Sequence, residues 1–177
     1  REKPFKVKGL IGVSAMSYGA LSKSAVKALS QGVAISGGAF MNTGEGGISP
    51  YHLSKVYEII KPYETNDKFE RRIYKFIDDH IYASNFDLEE KFGPEYKKVI
   101  EKFKQEGIVL EKSADLIFQV GSGLFGARKN DRYDEETFLK NALREEVKAI
   151  EIKLAQGAKV RGGKLPKEKI TPEIAEI

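Results

Sequence analysis

Apolar residues in this chain gather in short runs, and four of the runs end in polar patches rich in glycine. Gly9-Leu10-Ile11-Gly12-Val13 leads into Ser14-Ala15-Met16-Ser17-Tyr18-Gly19, and Ala39-Phe40-Met41 leads into Asn42-Thr43-Gly44-Glu45-Gly46-Gly47. Ala114–Phe118 leads into Gln119-Val120-Gly121-Ser122-Gly123, and Ala149–Leu154 into a patch that runs from Lys153 to Lys159. Apolar runs of this length, bounded by glycine, predict buried strands. Helices are expected between them. Ser22 is a capping residue ahead of Ala25, Val26, Leu29 and Val33, which share one helical face until Gly37-Gly38 breaks the pattern. Asp134 caps a second helix with Glu135 and Glu136 in its first turn and Phe138, Leu139, Ala142 and Leu143 as its apolar stripe. Strands joined by helices run parallel, so all four patches are expected on one rim, where α/β sheets and barrels bind ligands.

The stretch over 54–111 has a different character, with few glycines and many Lys, Glu, Tyr and Phe residues. Phe69, Ile73, Phe76 and Ile77, then Tyr96, Val99, Ile100 and Phe103, recur at helical spacing, with Asp87 and Pro94 near expected helix starts. This predicts a helical insertion, either a surface decoration with its own small core or a lid or docking surface. The organisation is then 1–53 as the first strand-helix-strand part, 54–111 as the insertion, and 112–177 as the third and fourth strand units. Thr171-Pro172-Glu173 has the composition of a further helix start. The expected fold class is α/β, the first half of a (β/α)8 TIM barrel with a helical insertion after the second strand. A complete barrel takes about 250 residues, so the chain is expected to be a fragment, or the ordered part, of a longer protein.

Composition narrows the chemistry. With 41% hydrophobic and 32% charged residues, the 177-residue chain suits a soluble globular protein with one well-buried core. No apolar stretch approaches the roughly 20 residues that span a bilayer, and no signal-peptide pattern opens the chain, so a cytoplasmic setting is expected. Thirty basic residues against 26 acidic ones leave a net charge of +4. That mild excess suits phosphate or carboxylate ligands, while the lack of a Lys/Arg block gives no support to nucleic-acid binding. Zero cysteines exclude disulfides, a Cys nucleophile and any cysteine-ligated iron–sulfur cluster within this chain, and His52 and His80 alone make a His-rich metal site unexpected. No metal ligands are assigned.

In the fourth strand, period-two alternation puts Ile150, Ile152 and Leu154 on one side and Glu151 and Lys153 on the other. Charges facing a barrel interior need partners. Either Glu151 and Lys153 form a structural pair, or Lys153 is aimed at an anionic ligand or a developing negative charge. Thr43-Gly44-Glu45-Gly46-Gly47 offers backbone N–H groups unobstructed by Cβ, suited to anionic oxygens. It is not a P-loop, because no Gly-Lys-Ser/Thr follows. Gly121-Ser122-Gly123 lacks the third glycine of a dinucleotide fingerprint. Ser14 and Ser17 have no evident His–Asp support, which argues against a serine hydrolase.

Taken together, SAMSYGALS (14–22), NTGEGGISPYH (42–52), DLIFQVGSGLFGAR (115–128), IEIKLAQGAK (150–159) and KLPKEKITPEIAEI (164–177) resemble the FMN-binding synthase domain of glutamate synthase, in its compact prokaryotic stand-alone form. The resemblance implies a (β/α)8 barrel holding FMN, on which 2-oxoglutarate and ammonia, supplied free or from glutamine, pass through 2-iminoglutarate to L-glutamate. It implies that Ser14, Ala15, Met16, Ser17, Gln119 and Lys153 bind the cofactor, with Lys153 at the anionic side of the reduced ring. Gly44, Glu45, Gln156 and Lys159 would hold or gate the oxoacid, and Lys153 and Glu45 are the catalytic candidates. An electron-donor protein or an NAD(P)H-oxidising subunit is an implied partner, as is the rest of the barrel. An iron–sulfur cluster would be ligated elsewhere in the full-length protein. One departure concerns the last patch: compact members read Gln-Gly-Ala-Lys-Pro-Gly-x-Gly-Gly, whereas here Lys159 is followed by Val160-Arg161-Gly162-Gly163. The oxoacid loop is expected to differ in shape, with Arg161 as a second cation. The alternatives are another FMN-dependent oxidoreductase acting on a different oxoacid or imine, a phosphate-ligand barrel without flavin, and a non-catalytic binding module. The isolated fragment is expected to be inactive.

Overall fold

A computed structural model describes residues 4–154 and Pro172. In chain order the elements are β1 (Gly12–Val13), α1 (Lys23–Ser36), β2 (Phe40–Asn42), β3 (Lys55–Ile59), α2 (Lys68–Asp79), β4 (Ala83–Ser84), α3 (Asn85–Phe92), α4 (Tyr96–Gln105), β5 (Val109–Ser113), β6 (Asp115–Val120), β7 (Arg128–Lys129), β8 (Arg132–Tyr133), α5 (Glu135–Ala142) and β9 (Val147–Ile152). They form two compact units. One runs to Leu53 and resumes at Ala114; the other spans Ser54–Ser113.

The first unit is built on a four-stranded parallel sheet in the order β1-β2-β6-β9, so the strands of this sheet add in chain order. Register is Val13↔Met41 between the first pair, Asn42↔Ile117 between the second and Gln119↔Glu151 between the third. Helix α1 packs on β1 and β2, and α5 on β9. Alternation sorts the faces: Met41, Leu116 and Phe118 are fully buried with Val26, Val33 and Val147, whereas Gln119 turns to the other face beside Glu151. The expected caps operate. Ser22 Oγ accepts from the Ala25 N–H at 3.2 Å, and Gly37 closes α1 in the left-handed region. Asp134 Oδ2 accepts from the Thr137 N–H at 2.9 Å and from its hydroxyl at 2.6 Å, which holds the Asp134 carboxyl below its ordinary range.

The strands differ in extent from the apolar runs. β1 begins only at Gly12, leaving Leu10 and Ile11 exposed, because it pairs on one side alone among the described residues. β9 starts two residues early at Val147 and ends at Ile152, although the Lys153 N–H still donates to the Val120 carbonyl at 2.9 Å. Between β6 and α5, β7 and β8 form a hairpin whose loop residues Asn130 and Asp131 both have positive φ, the geometry of a tight two-residue turn. Residues Gln156, Lys159 and Arg161 and the helix start expected at Thr171 lie outside the described residues.

In the second unit, α2 and α4 form where helical spacing predicted them and α3 begins near Asp87, and Ile73, Ile77, Tyr96, Ile100 and Phe103 build its core. Asp87 is not itself the cap of α3. Ser84 is, and Asp87 returns the bond in a capping box. The helices pack with a three-stranded antiparallel sheet, order β4-β3-β5, in which Val56 pairs with Lys112. Helical periodicity carries no trace of that sheet, because β3 and β5 come from opposite ends of the segment and β4 is only two residues long. Among the described residues no helix is long and apolar enough to cross a membrane.

His52 closes the first half of the first unit. It is fully buried, its Nδ1 accepts from the Ser49 N–H at 3.0 Å, and its carbonyl accepts from Ser30 Oγ on α1 at 2.8 Å. Burial pushes its pKa down to about 4. The unfolded chain therefore takes up the proton first on acidification, so the stability His52 contributes is complete above pH 6.5 and is lost as pH falls toward 4. Urea unfolding at pH 7 and pH 4.5 should show the wild type losing about 2 kcal/mol more than His52→Gln between the two conditions. Equal losses would contradict a neutral buried imidazole.

Candidate functional site

The described residues of the polar patches meet at the carboxyl ends of the parallel strands. Beyond β2 the Thr43 N–H donates to the Ile117 carbonyl at 3.0 Å, and Thr43 Oγ1 accepts from the Gln119 N–H at 3.1 Å, which continues the β2–β6 pairing through a buried side chain. Asn42 Oδ1 accepts from the Gly44 N–H at 3.0 Å and turns the chain sharply. Gly44 has φ +68°, and a Cβ there would lie 2.6 Å from the Ser17 nitrogen and 2.9 Å from the Met16 carbonyl carbon. The first and second patches are thus in backbone contact, which only glycine permits.

The second patch also reaches the third and fourth. Lys153 Nζ donates to Glu45 Oε2 at 3.0 Å, with side chains 35% and 20% exposed, so the pair is neither sealed in nor fully solvated. The Glu45 carboxylate lies against Gly121, where a Cβ would come within 2.0 Å of Oε1. Beside this pair, Glu151 accepts from Asn42 Nδ2 at 2.8 Å and from Gln119 Nε2 at 2.5 Å. The structural Glu151–Lys153 pair considered from sequence does not form; Glu151 has partners on β2 and β6, and Lys153 pairs with Glu45 in the turn after β2.

Contacts therefore link Met16, Ser17, Gly44, Glu45, Gln119 and Lys153 along one rim. Ser14 and Ala15 are exposed at the end of β1, adjoining it in sequence. Three participants escaped the sequence reading as site residues: Asn42, Gly121 and, in its actual role, Glu151. The alternation of β9 had marked Glu151 as inward-facing, but its partners depend on strand register. Among the described residues no group of three or more His, Asp or Glu side chains is disposed to hold a metal. Surface depressions elsewhere, one over α5 beside Leu139 and Leu143 and one beside Tyr63 and Arg71, gather no comparable set of converging polar groups.

This arrangement offers a half-buried cation paired with Glu45 and an amide with one buried open acceptor, which together suit a polar ligand carrying negative charge. Because Glu45 occupies the space a side chain at 121 would need, Gly121→Ala should cost about 1 kcal/mol in chemical denaturation, and that cost should vanish in a Glu45→Ala background. Additive costs would show that Glu45 does not rest on Gly121.

Comparison with known proteins gives one consistent result. A family described as a conserved region in glutamate synthase matches residues 1–177. The chain is 37% identical over 177 residues to the glutamate synthase large subunit-like protein YerD of Bacillus subtilis (strain 168), covering 99% of this chain and 23% of that protein. It thus spans about a quarter of that relative's length. No solved structure matches. The family match across the whole sequence and the 37% identity to that relative place this chain in the glutamate synthase family.

Proposed function

We propose that this chain is the first half of a (β/α)8 barrel that binds FMN and forms L-glutamate by reductive amination of 2-oxoglutarate. The observation that carries the reading is the convergence of Ser17, Gly44, Gln119 and the Glu45–Lys153 pair at the carboxyl ends of four adjacent parallel strands. The barrel is supported by sheet strands that add in chain order, with α1 between β1 and β2 and α5 before β9, and by apolar side chains exposed at both edges, Leu10 and Ile11 just before β1 and Ile150 and Ile152 on β9.

The residues fit a flavin in chemical kind. Ser14 and Ala15 are exposed beside the half-buried Met16 and Ser17, Gln119 supplies a buried carbonyl oxygen with no partner among the described residues, and Lys153 supplies a cation. FMN, when bound, supplies the hydride. The chain's part is electrostatic and acid–base: the Lys153 ammonium stabilises negative charge on the ring system, and Glu45 is placed to exchange protons as ammonia condenses with the oxoacid. Gly44 and Glu45, with Gln156 and Lys159, hold the oxoacid, a lysine being a natural partner for its carboxylates. In this reading the ammonia comes free or from glutamine, electrons come from a donor protein or an NAD(P)H-oxidising subunit, any iron–sulfur cluster is ligated elsewhere in the full-length protein, and the setting is cytoplasmic.

A second reading, reduction of a different oxoacid or imine on the same flavin, is favoured by the departure at Val160-Arg161 from the family's oxoacid loop. The full-length protein should show flavin absorption and form glutamate from ammonia and 2-oxoglutarate. Flavin without glutamate would select the second reading, and a colourless protein that stays apo with added FMN would overturn both. Lys153→Met should lower turnover at least about 100-fold with an unchanged circular dichroism spectrum. Unchanged turnover would remove Lys153 from the chemistry.

A further inference from the structure

The two ends of the Gln119 amide differ in kind. Its Nε2 donates to Glu151 Oε1, whereas its Oε1 is buried without a partner among the described residues. A carboxylate only accepts hydrogen bonds, so Glu151 obliges Gln119 to turn its NH2 toward Glu151 and its carbonyl away from it, where the oxygen is buried and open. The same carboxylate takes Asn42 Nδ2 on its other oxygen, and Asn42 is itself fixed because its Oδ1 accepts from the Gly44 N–H. A relay of donors and acceptors thus starts at a backbone N–H, which cannot be reversed, and ends by setting the polarity of Gln119.

We infer that Glu151 is a positioning residue that makes Gln119 a hydrogen-bond acceptor toward the cofactor, so that the site selects a ring edge presenting an N–H. The inference rests on the flavin reading and deepens it: the imide N–H of the isoalloxazine is a donor of this kind, flanked by carbonyls that a reversed amide would favour instead. A buried carbonyl left open in the apo chain gains its missing partner when such a donor arrives.

Glu151→Gln tests the relay directly. Asn42 is tied to Gly44 and keeps its NH2 toward position 151, so the new amide must offer its oxygen to Asn42. Its NH2 then faces Gln119, which must turn over and present Nε2 to the ligand. Fluorescence titration of the full-length apoprotein with FMN and with N3-methyl-FMN reads the consequence. The wild type should bind FMN at least about tenfold more tightly than the methylated analogue, and Glu151→Gln should cut that ratio at least about fivefold. Glu151→Asp keeps an acceptor and should preserve much of the ratio. Should Glu151→Gln fail to fold, Glu151→Ala, which frees Gln119 to rotate, must also lower it. A ratio near one in the wild type, or one that Glu151→Gln or Glu151→Ala leaves unchanged, overturns the role of Glu151 while the flavin reading stands. Failure to bind either flavin overturns the flavin reading and this inference with it.

Discussion

The buried side chain of Thr43 ties the two central strands together at the level where their loops diverge. Its N–H donates to Ile117, and its hydroxyl accepts from the Gln119 N–H and donates to the Gly44 carbonyl. A parallel pair ends where its backbone groups run out of partners, and here a hydroxyl substitutes for the next rung. Two consequences follow from that one residue. Gln119 is held at a fixed height on the rim, and the chain after Thr43 is committed to the tight turn that brings Gly44 against Ser17. Glu45 then emerges on the side where Lys153 can reach it.

The rim is a set of mutual constraints more than a set of separate ligands. Gly44 keeps two loops in backbone contact, Gly121 leaves room for the Glu45 carboxylate, and Asn42 and Gln119 share the oxygens of Glu151. Polar groups tied in this way are preorganised, and preorganised dipoles around a partly enclosed charge act without the reorganisation that water would demand. The glycines of the patches therefore serve close approach as much as the anion binding that their N–H groups suggested.

Much of this was legible in the sequence, and the boundary of legibility is physical. Capping by Ser22 and Asp134 is decided within a few residues, so local composition revealed it. The alternation that turned Glu151 and Lys153 away from Ile150 and Ile152 is equally local. Which partners those charges find is not, because Glu45 is 108 positions from Lys153 and Asn42 is 109 from Glu151. The antiparallel sheet of the second unit was hidden for the same reason. Val56 and Tyr57 are both buried, which spoils simple alternation, and their partners Lys112 and Glu111 lie beyond all three helices.

The central claim is that a flavin ring occupies the rim these loops create. A crystal structure of the full-length protein grown with FMN tests it most directly. The account predicts the isoalloxazine over the carboxyl ends of β1, β6 and β9, in contact with Met16, Gln119 and Lys153. A flavin bound elsewhere in the molecule, with those three residues facing solvent, would contradict it.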